Sequence, residues 1–352
     1  MDISIDYKGA EEIIKVINDS IKSNKLFADD LKLVLEETEG YKMFFKFYKW
    51  EGFKEKYIDM IKKVVEGKEY NTDSKVLKRM SAAYENAVKN PKLFYEKLKI
   101  VKSIDIYSLQ NRLEECLPCD TKIQSNLYFI LDGFNLGSII DKHTICLDVM
   151  GWSIEKDVSR KMENILLHEL HHIGAIYWSE KDVKREFLIK RENGVGLAVD
   201  LFDSILSEGT AFYFFNDNMD VYDINREIYG EEFTEKFEKS YLKSKDDIKE
   251  KIGELDNFLI TLIESDLDNY NELKMKLYNY TCEKDNKEAL DKIIGSHMCR
   301  FIEEAFGKKE ILNCIENLYI FPIRYNEACF KLKNEERLSE KLLCKWKNIW
   351  DK

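Results

Sequence analysis

Proline and long apolar runs are the scarcest features of this sequence. Only 3 of its 352 residues are prolines, so few positions are bound to interrupt a helix. No stretch of about 18 uncharged apolar residues occurs, which is the minimum for a transmembrane helix. The opening residues MDISIDYKGAEEII have neither the basic segment nor the apolar segment of a signal peptide. These absences predict a chain with no membrane partner.

An excess of positive charge is also missing. The formal net charge is -11, whereas binding to nucleic acid draws most of its affinity from basic side chains that neutralise phosphates. Nucleic acid is therefore not an expected partner. The 8 cysteines are scattered and several fall within helical patterns, which is typical of free thiols in a reducing compartment. We expect a cytoplasmic protein, and the sequence leaves its oligomeric state open.

What the chain does contain is hydrophobic periodicity, mostly of the helical kind. Hydrophobic residues make up 44% of the chain and charged residues 34%, a composition typical of a folded globular protein. Apolar residues recur at helical spacing in the ranges 10–122, 157–178, 197–215, 287–294 and 297–306. Residues 179–196 are charged and end in glycines, so they are predicted to form a loop.

A short central stretch has a different pattern. Residues 126–131 and 144–149 read as two strands, joined by a connection that contains glycine. We therefore expect an α+β fold that is predominantly α-helical and contains a small β-sheet. Its expected organisation is a helical region, a central core and a second helical region, with the bounds 1–122, 123–216 and 217–352.

Three of the five histidines lie in one short segment, His168-Glu169-Leu170-His171-His172. It matches the pattern H-E-x-x-H within a predicted helix, where side chains four residues apart share a face. His168 and His172 can therefore direct their imidazoles at one point, and two neutral imidazoles suit Zn²⁺. Glu169 is placed to take a proton from water at such a metal and to deliver it to a leaving amine. The segment predicts a zinc site with Glu169 as the catalytic base.

The alternative is that this pattern arose by chance on a solvated helix face. Residue frequencies predict about one such match per hundred chains of this composition. The preceding residues Ile165-Leu166-Leu167 are apolar, so the turn is expected to be buried, and buried histidines need partners. These observations favour metal binding.

A catalytic zinc ion usually has three protein ligands, so a third ligand must lie elsewhere in the chain. The best candidate is Glu208 in SEGTA, because a carboxylate within so apolar a predicted helix needs a partner. Gly209 costs its helix about 1 kcal/mol relative to alanine, which is expected where two helices approach closely at a metal. The alternative for Glu208 is a cap or a salt bridge at the helix surface. Asp203 and Asp200 are the other candidates for the third ligand.

The segments HELHH and SEGTA together resemble the zincin metallopeptidases of the gluzincin branch, in which two histidines and a downstream glutamate bind zinc. The sequence is similar in particular to uncharacterised bacterial families described as zinc-dependent peptidases, which have a comparable E-G-small-A segment. The resemblance covers residues 126–215 and, more weakly, 295–307. Thermolysin-like enzymes differ, because their glutamate ligand is closer in sequence and an aspartate follows it four residues later, where this chain has Phe212. The resemblance implies a zincin core at 123–216.

The resemblance also implies two further parts of an active site. Zincin folds place an edge strand beside the metal, where a peptide can pair with it, and residues 144–149 are the candidate, with an ordinary core strand as the alternative. His297 resembles a position that faces the cleft in related peptidases, where a donor can stabilise an oxyanion. A helix cap or a half-buried histidine of the C-terminal core is the alternative for His297. Tyr213 and Tyr325 are weaker candidates for the donor.

The two remaining histidines have less defined roles. His171 flanks the metal-facing side of the helix without sharing it, so contact with a ligand, contact with substrate and exposure at the surface all remain open. His143 precedes a predicted strand and is expected to be a turn residue rather than a ligand.

The function that these features predict is zinc-dependent hydrolysis of peptide bonds in a peptide or protein substrate. One alternative is a zincin-fold protein that binds metal and a partner without turnover, although the intact Glu169 favours an active enzyme. Another is an all-helical interaction module in which the motif is accidental. The last alternative predicts a protein without stoichiometric metal.

Overall fold

The structure of the protein is a computed structural model, which describes residues 1–23, 25, 27–152, 156–216, 226, 230–265, 269–282 and 289–351. Helices dominate these residues and one small sheet accompanies them. The predicted α+β class, predominantly α-helical, is therefore confirmed. None of the helices in the described ranges is both long and apolar enough to span a membrane. All eight cysteines are free thiols, as expected.

Four short strands form the sheet, and their bounds are β1 (Asp2–Asp6), β2 (Gln124–Ile130), β3 (Gly137–Asp141) and β4 (Thr144–Asp148). The described helices between β1 and β2 are α1 (Lys8–Ser23), α2 (Ala28–Glu37), α3 (Glu39–Phe47), α4 (Phe53–Val65), α5 (Lys75–Lys89), α6 (Pro91–Lys102) and α7 (Ile106–Glu114). After β4 the described helices are α8 (Lys156–Lys181), α9 (Val183–Ile189), α10 (Gly194–Phe215), α11 (Glu231–Asp246), α12 (Ile248–Glu264), α13 (Tyr270–Thr281), α14 (Leu290–Phe306), α15 (Lys308–Glu316), α16 (Phe321–Lys331) and α17 (Glu340–Asp351). Two 3₁₀ turns, Val149–Gly151 and Leu318–Ile320, complete the described elements.

The strands are ordered β1-β2-β4-β3, so β1 and β3 are the two edges. Strands β1, β2 and β4 are parallel to one another, and β3 runs antiparallel to β4. The predicted strand at 144–149 is β4, and the expectation that it forms the edge was wrong. All five residues of β4 are buried and the strand is paired on both sides, as is typical of a central strand.

Contacts divide the chain into two compact units. The first contains Met1–Asn111, Ile123–Ile173 and, within the described residues, 226 and 230–234. The second contains Arg112–Lys122 and, within the described residues, 174–216 and 235–351. The three regions 1–122, 123–216 and 217–352 were predicted as parts with different functions. The two units describe only which residues pack together, so the three regions stay a prediction.

In the first unit, buried hydroxyls hold the chain where β2 ends. The carbonyl oxygen of Leu131 accepts hydrogen bonds from the hydroxyls of Tyr57 at 2.6 Å and Tyr84 at 3.1 Å. The hydroxyl of Tyr41 accepts the backbone N–H of Leu131 at 3.1 Å. A backbone that leaves a sheet loses its ladder partners, and these tyrosines replace them. The start of the connection from β2 to β3 is thereby fixed.

In the second unit, α10 and α14 cross at two glycines. A Cβ atom placed on Gly209 would lie 2.3 Å from the Cα atom of Gly295. The close approach of two helices predicted at Gly209 is confirmed, and its partner helix is α14. Helix α14 carries none of the candidate ligands, so the metal expected at this approach stays a prediction. The expectation of separate helices at 287–294 and 297–306 was wrong, because α14 begins at Leu290 and continues through Gly295. Residues 287 and 288 lie outside the described residues.

The predicted loop at 179–196 also contains a helix. Asp182 precedes α9, and its side chain accepts the backbone N–H groups of Lys184 and Arg185. This capping stabilises a helix start. At seven residues α9 is too short to show a full helical period, which explains why the pattern did not indicate it.

Candidate metal site

Helix α8 places His168 and His172 on one face, as the four-residue spacing predicts. Their Nε2 atoms lie 3.0 Å apart. Both residues are buried, with 7% and 8% of their surface exposed. A tetrahedral zinc ion with Zn–N distances of about 2.0 to 2.1 Å separates two ligand nitrogens by roughly 3.3 Å. The two imidazoles therefore have the orientation and spacing of a zinc-binding pair.

Glu208 is the candidate for the third donor. The ligand atoms of His168, His172 and Glu208 all lie within 4.8 Å of one another, which makes these residues a candidate metal-binding triad. The other candidates have different surroundings, because Asp203 pairs with the buried guanidinium of Arg185 and Asp200 is exposed. A set of two imidazoles and one carboxylate is a donor set that zinc enzymes use.

Helix α14 contributes an acidic neighbour to Glu208. Asp291 is 1% exposed, and its Oδ2 atom accepts a hydrogen bond from the hydroxyl of Ser204 at 2.7 Å. Ser204 lies one helical turn before Glu208 on α10. Burial, and next the charge of Glu208, raise the pKa of Asp291 to about 7. Sequence reasoning missed Asp291, although an aspartate among Leu290, Ile293 and Ile294 was a signal of a buried acid.

Glu169 is half-buried and lies against the edge strand. A Cβ atom placed on Gly137, the first residue of β3, would lie 2.6 Å from Glu169 Cγ and 3.0 Å from its Oε1. On a helix, residue 169 is rotated by about 100° from residue 168. Glu169 therefore extends from the side of α8 that faces β3, next to the face that carries the two histidines. Sequence reasoning did not identify β3 or Gly137.

The two histidines without a defined role, His171 and His143, differ in burial. His171 is 0% exposed, so the option that it lies at the surface was wrong. His143 is exposed in the turn between β3 and β4, and its Nδ1 atom lies 2.9 Å from the carbonyl oxygen of Gln124. The prediction that His143 is a turn residue is confirmed.

His297 lies on α14 among residues of the C-terminal helices. Its Nε2 atom is 3.0 Å from a carboxylate oxygen of Glu336, and its ring packs against Phe301 and Tyr325 with centroids 4.6 Å and 6.3 Å away. Burial lowers the pKa of His297, and Glu336 opposes this shift. Two residues along a helix correspond to a rotation of roughly 200°. His297 therefore extends from a different side of α14 than Gly295, which contacts α10.

The two candidate tyrosines are hydrogen-bonded as well. The hydroxyl of Tyr213 donates to a carboxylate oxygen of Glu303 at 2.6 Å. Tyr325 is 0% exposed, and its hydroxyl donates to the carbonyl oxygen of Glu336. Burial raises the pKa of both hydroxyls. Both tyrosines are therefore neutral hydrogen-bond donors at neutral pH.

The fold and the triad define an α+β protein, predominantly helical, with a candidate site for zinc. Comparison with family models gives the same metal. The chain belongs to the family described as "Putative zinc dependent peptidase (DUF5700)", whose model matches residues 34–334. No curated protein matches the chain, and no solved structure does. The family is zinc-dependent by its description, and the triad His168, His172 and Glu208 is the candidate site for this cofactor.

Proposed function

We propose that the protein is a zinc-dependent metallopeptidase of the gluzincin type, in which Glu169 is the catalytic base. The observation that carries the proposal is the triad. His168 and His172 direct their Nε2 atoms at each other across 3.0 Å, and the carboxylate of Glu208 completes a group within 4.8 Å. The family description supports the same class of enzyme.

The residues of the triad would hold zinc with two neutral imidazoles and one negative carboxylate. When bound, zinc lowers the pKa of a water molecule to about 7 and polarises a carbonyl group. Since the triad contributes a single negative charge, the centre keeps a net positive charge. This charge favours hydrolysis of a neutral amide, because negative charge develops on the carbonyl oxygen.

Glu169 would move the protons of the reaction. Its carboxylate takes a proton from the attacking water and delivers it to the nitrogen of the leaving amine. For both steps the carboxylate must lie beside the scissile bond rather than on the metal. Its place on α8, rotated by about 100° from His168, gives this separation.

An extended peptide would pair with β3. This strand is an edge of the sheet, and its first residue lies against Glu169. Main-chain hydrogen bonds to an edge strand bind an extended peptide whatever its side chains. The edge-strand role first expected of residues 144–149 is therefore proposed for Gly137–Asp141 instead.

The oxyanion donor is a separate part of the proposal. The resemblance to gluzincins implies His297, with Tyr213 and Tyr325 as the alternatives. The imidazole of His297 is within hydrogen-bonding distance of Glu336 at 3.0 Å. Donation from this nitrogen to a substrate would therefore replace the contact with Glu336.

Glu169→Gln tests the proposed function. The amide keeps the shape of the side chain and removes the base, so zinc content is expected to stay at the parental level. The rate of hydrolysis is expected to fall by about 10²- to 10⁴-fold or more, because the same group serves both proton transfers. The measurement is metal content together with initial cleavage rates on a broad peptide library.

The matched control is Glu180→Gln, which changes an exposed glutamate on the same helix. It is expected to keep both its zinc and its rate. A Glu169→Gln variant that keeps its zinc and most of its rate would show that Glu169 is not the base. The proposed mechanism would then be wrong.

A further inference from the structure

Gly137 on β3 lies unusually close to the side chain of Glu169 on α8. A Cβ atom at residue 137 would meet three atoms of Glu169, with distances of 2.6 Å to Cγ, 3.0 Å to Cδ and 3.0 Å to Oε1. Carbon atoms that are not bonded attract each other best at about 3.5 to 4.0 Å. No side chain other than the hydrogen of glycine fits at residue 137 while Glu169 stays where it is.

The backbone of Gly137 does not itself require glycine. The described glycines with positive φ are Gly52, Gly67, Gly133, Gly230 and Gly307, and Gly137 is not among them. Residue 137 is the first residue of β3 and pairs with Leu147 of β4. Any residue can adopt such an extended conformation. The physical reason for glycine at this position is therefore the space that Glu169 occupies.

Both backbones that carry the pair are held in place. The carbonyl oxygen of Leu136 accepts the backbone N–H of Asp148 at 3.0 Å, which joins the start of β3 to the end of β4. On α8, the side chains of Leu166 and Leu170 are 0% and 1% exposed. When a methyl group is added at residue 137, the element that can yield most easily is the flexible side chain of Glu169.

We propose that Gly137 is a positioning residue for Glu169: its missing side chain lets the carboxylate of the base lie against the edge strand, beside the metal-binding face of α8. The inference rests on the proposed function, in which Glu169 is the base. The role belongs to the missing side chain of Gly137 and is separate from the main-chain pairing with a peptide that is proposed for β3. The effect of this missing side chain on the reaction passes through the position of one carboxylate.

Gly137→Ala tests this role through kinetics. The added methyl group displaces the carboxylate of Glu169 by about 1 Å, and a misplacement of this size costs roughly 10²-fold in rate. The expected result is a fall of this size in kcat with KM and zinc content near parental values, because the ligands and β3 remain in place. A raised KM with unchanged kcat would overturn the positioning role and assign residue 137 to substrate binding.

Gly40→Ala is the matched control. Gly40 lies on α3 in the same unit, and a Cβ atom there would lie 3.0 Å from Ile130 Cγ2 on β2. The variant therefore adds a methyl group against the same sheet without touching Glu169. It is expected to keep kcat. If Gly40→Ala loses kcat to the same extent as Gly137→Ala, the loss arises from disturbance of the sheet and the proposal fails.

A double-mutant cycle tests the contact without any activity. Gly137→Ala is expected to lower the melting temperature of the parent. The same change in a Glu169→Ala background is expected to lower it by less than half as much, because the colliding atoms are gone. Equal losses in the two backgrounds would show that the methyl group collides elsewhere and would overturn the inference.

The outcomes separate this inference from the function on which it rests. If Glu169→Gln keeps its rate, the proposed function fails and the positioning role fails with it. If Glu169→Gln loses its rate while Gly137→Ala keeps kcat, only the positioning role fails. The double-mutant cycle measures whether residue 137 and Glu169 are in contact, whichever of these results is obtained.

Discussion

Asp148 accepts the backbone N–H of Asp132 on its carboxylate at 3.1 Å, and both aspartates are almost fully buried. The same carboxylate accepts the N–H groups of Gly133 and Met150 at 2.9 Å each. The hydroxyl of Tyr48 donates to Asp132 at 3.1 Å. Two buried carboxyl groups thus hold the connection that leads from β2 to β3, and hence to Gly137.

The stabilising contribution of Asp148 is expected to fall as the pH rises from about 4 to about 6. Burial raises the pKa of Asp148 to about 6. Burial, and next the charge of Asp148, raises the pKa of Asp132 well above its usual range. Because each group binds its proton more tightly when folded, its stabilising effect is complete below the unfolded pKa of about 4 and is lost as the pH rises through the folded pKa. For Asp148 the loss is on the order of 3 kcal/mol, since one pKa unit corresponds to about 1.4 kcal/mol.

Asp132→Asn is expected to raise the melting temperature at pH 8 and to leave it unchanged at pH 4. The amide oxygen can still accept from Tyr48, and the folded protein no longer needs to keep a proton at residue 132. The gain should therefore appear at pH 8, where the unfolded carboxyl is ionised, and be absent at pH 4. Melting curves at both pH values measure it. The control is Asp29→Asn at an exposed aspartate of α2, for which no pH-dependent gain is expected.

Loss of any residue of the triad is expected to weaken zinc binding. His168→Ala and His172→Ala should abolish stoichiometric zinc, because the two remaining ligands compete poorly with water and buffer. Glu208→Gln should lower the affinity by roughly tenfold or more, since a neutral amide is a poorer ligand than a carboxylate. Metal analysis after dialysis measures both effects. His143→Ala, which changes an exposed histidine in a turn, is the control and should keep its zinc.

Removal of zinc by a chelator is expected to lower the melting temperature of the parent protein. A ligand that binds only the folded state stabilises it by about 4 kcal/mol when its concentration is a thousandfold above Kd. The same chelator should leave the melting temperature of His168→Ala unchanged. If the parent loses its metal and melts as before, the triad does not contribute a zinc site to the folded protein.

Gly209→Ala is expected to destabilise the protein severely. The added Cβ atom would meet the Cα atom of Gly295 at 2.3 Å and its carbonyl carbon at 2.4 Å. Backbone atoms cannot move aside as a side chain can, so the cost should reach about 3 kcal/mol or more. Since α10 also carries Glu208, zinc affinity should fall as well. Denaturant unfolding checks the first expectation and zinc titration the second.

Gly253→Ala provides the matched comparison for that experiment. Gly253 lies on α12, is exposed, and has no atom within 4 Å of an added Cβ atom. Alanine is a better helix former than glycine by about 1 kcal/mol, so this variant should be as stable as the parent or more stable. Equal destabilisation of both variants would contradict the assignment of the Gly209 effect to the helix crossing.

His297→Ala separates the two roles considered for this histidine. If His297 is the oxyanion donor, the variant is expected to have a kcat about 10²- to 10³-fold below that of the parent. Its zinc content and melting temperature should then stay near parental values. If His297 only packs against Phe301 and Tyr325, its loss would lower the melting temperature and leave kcat unchanged. The second result would remove His297 from the mechanism and direct the search to Tyr213.

The helices and the close pairing of two candidate ligands could be predicted because their signals are local. Helical spacing lies within one segment, and the H-E-x-x-H pattern needs only one helix to bring His168 and His172 together. Glu208 could be proposed from a carboxylate in an apolar helix, because burial of a charge requires a partner. In each case the pattern that indicates the structure, helical spacing or a carboxylate among apolar residues, lies within about twenty residues of sequence.

The edges of the sheet could not be predicted for the opposite reason. Strand β3 has five residues, and glycine and aspartate at its ends hide any alternation. Whether β4 is central or at an edge depends on its neighbours, which local patterns do not contain. Asp291 lies far from Glu208 in the sequence, and only the crossing of α10 with α14 brings it near. Pairings between distant segments therefore account for most of what the sequence did not reveal.

The pairing of β1 with β2 has a consequence for the time course of folding. Ser4 donates a hydrogen bond to Asn126 at 2.5 Å, and 122 positions separate the two residues. Closing a loop of this length costs on the order of 4 kcal/mol of chain entropy before any contact compensates for it. On the ribosome, β1 is synthesised first and has no partner until β2 has emerged. The helices between them can form early, whereas the completed sheet, with Gly137 at its far edge, is expected to be a late and slow product of folding.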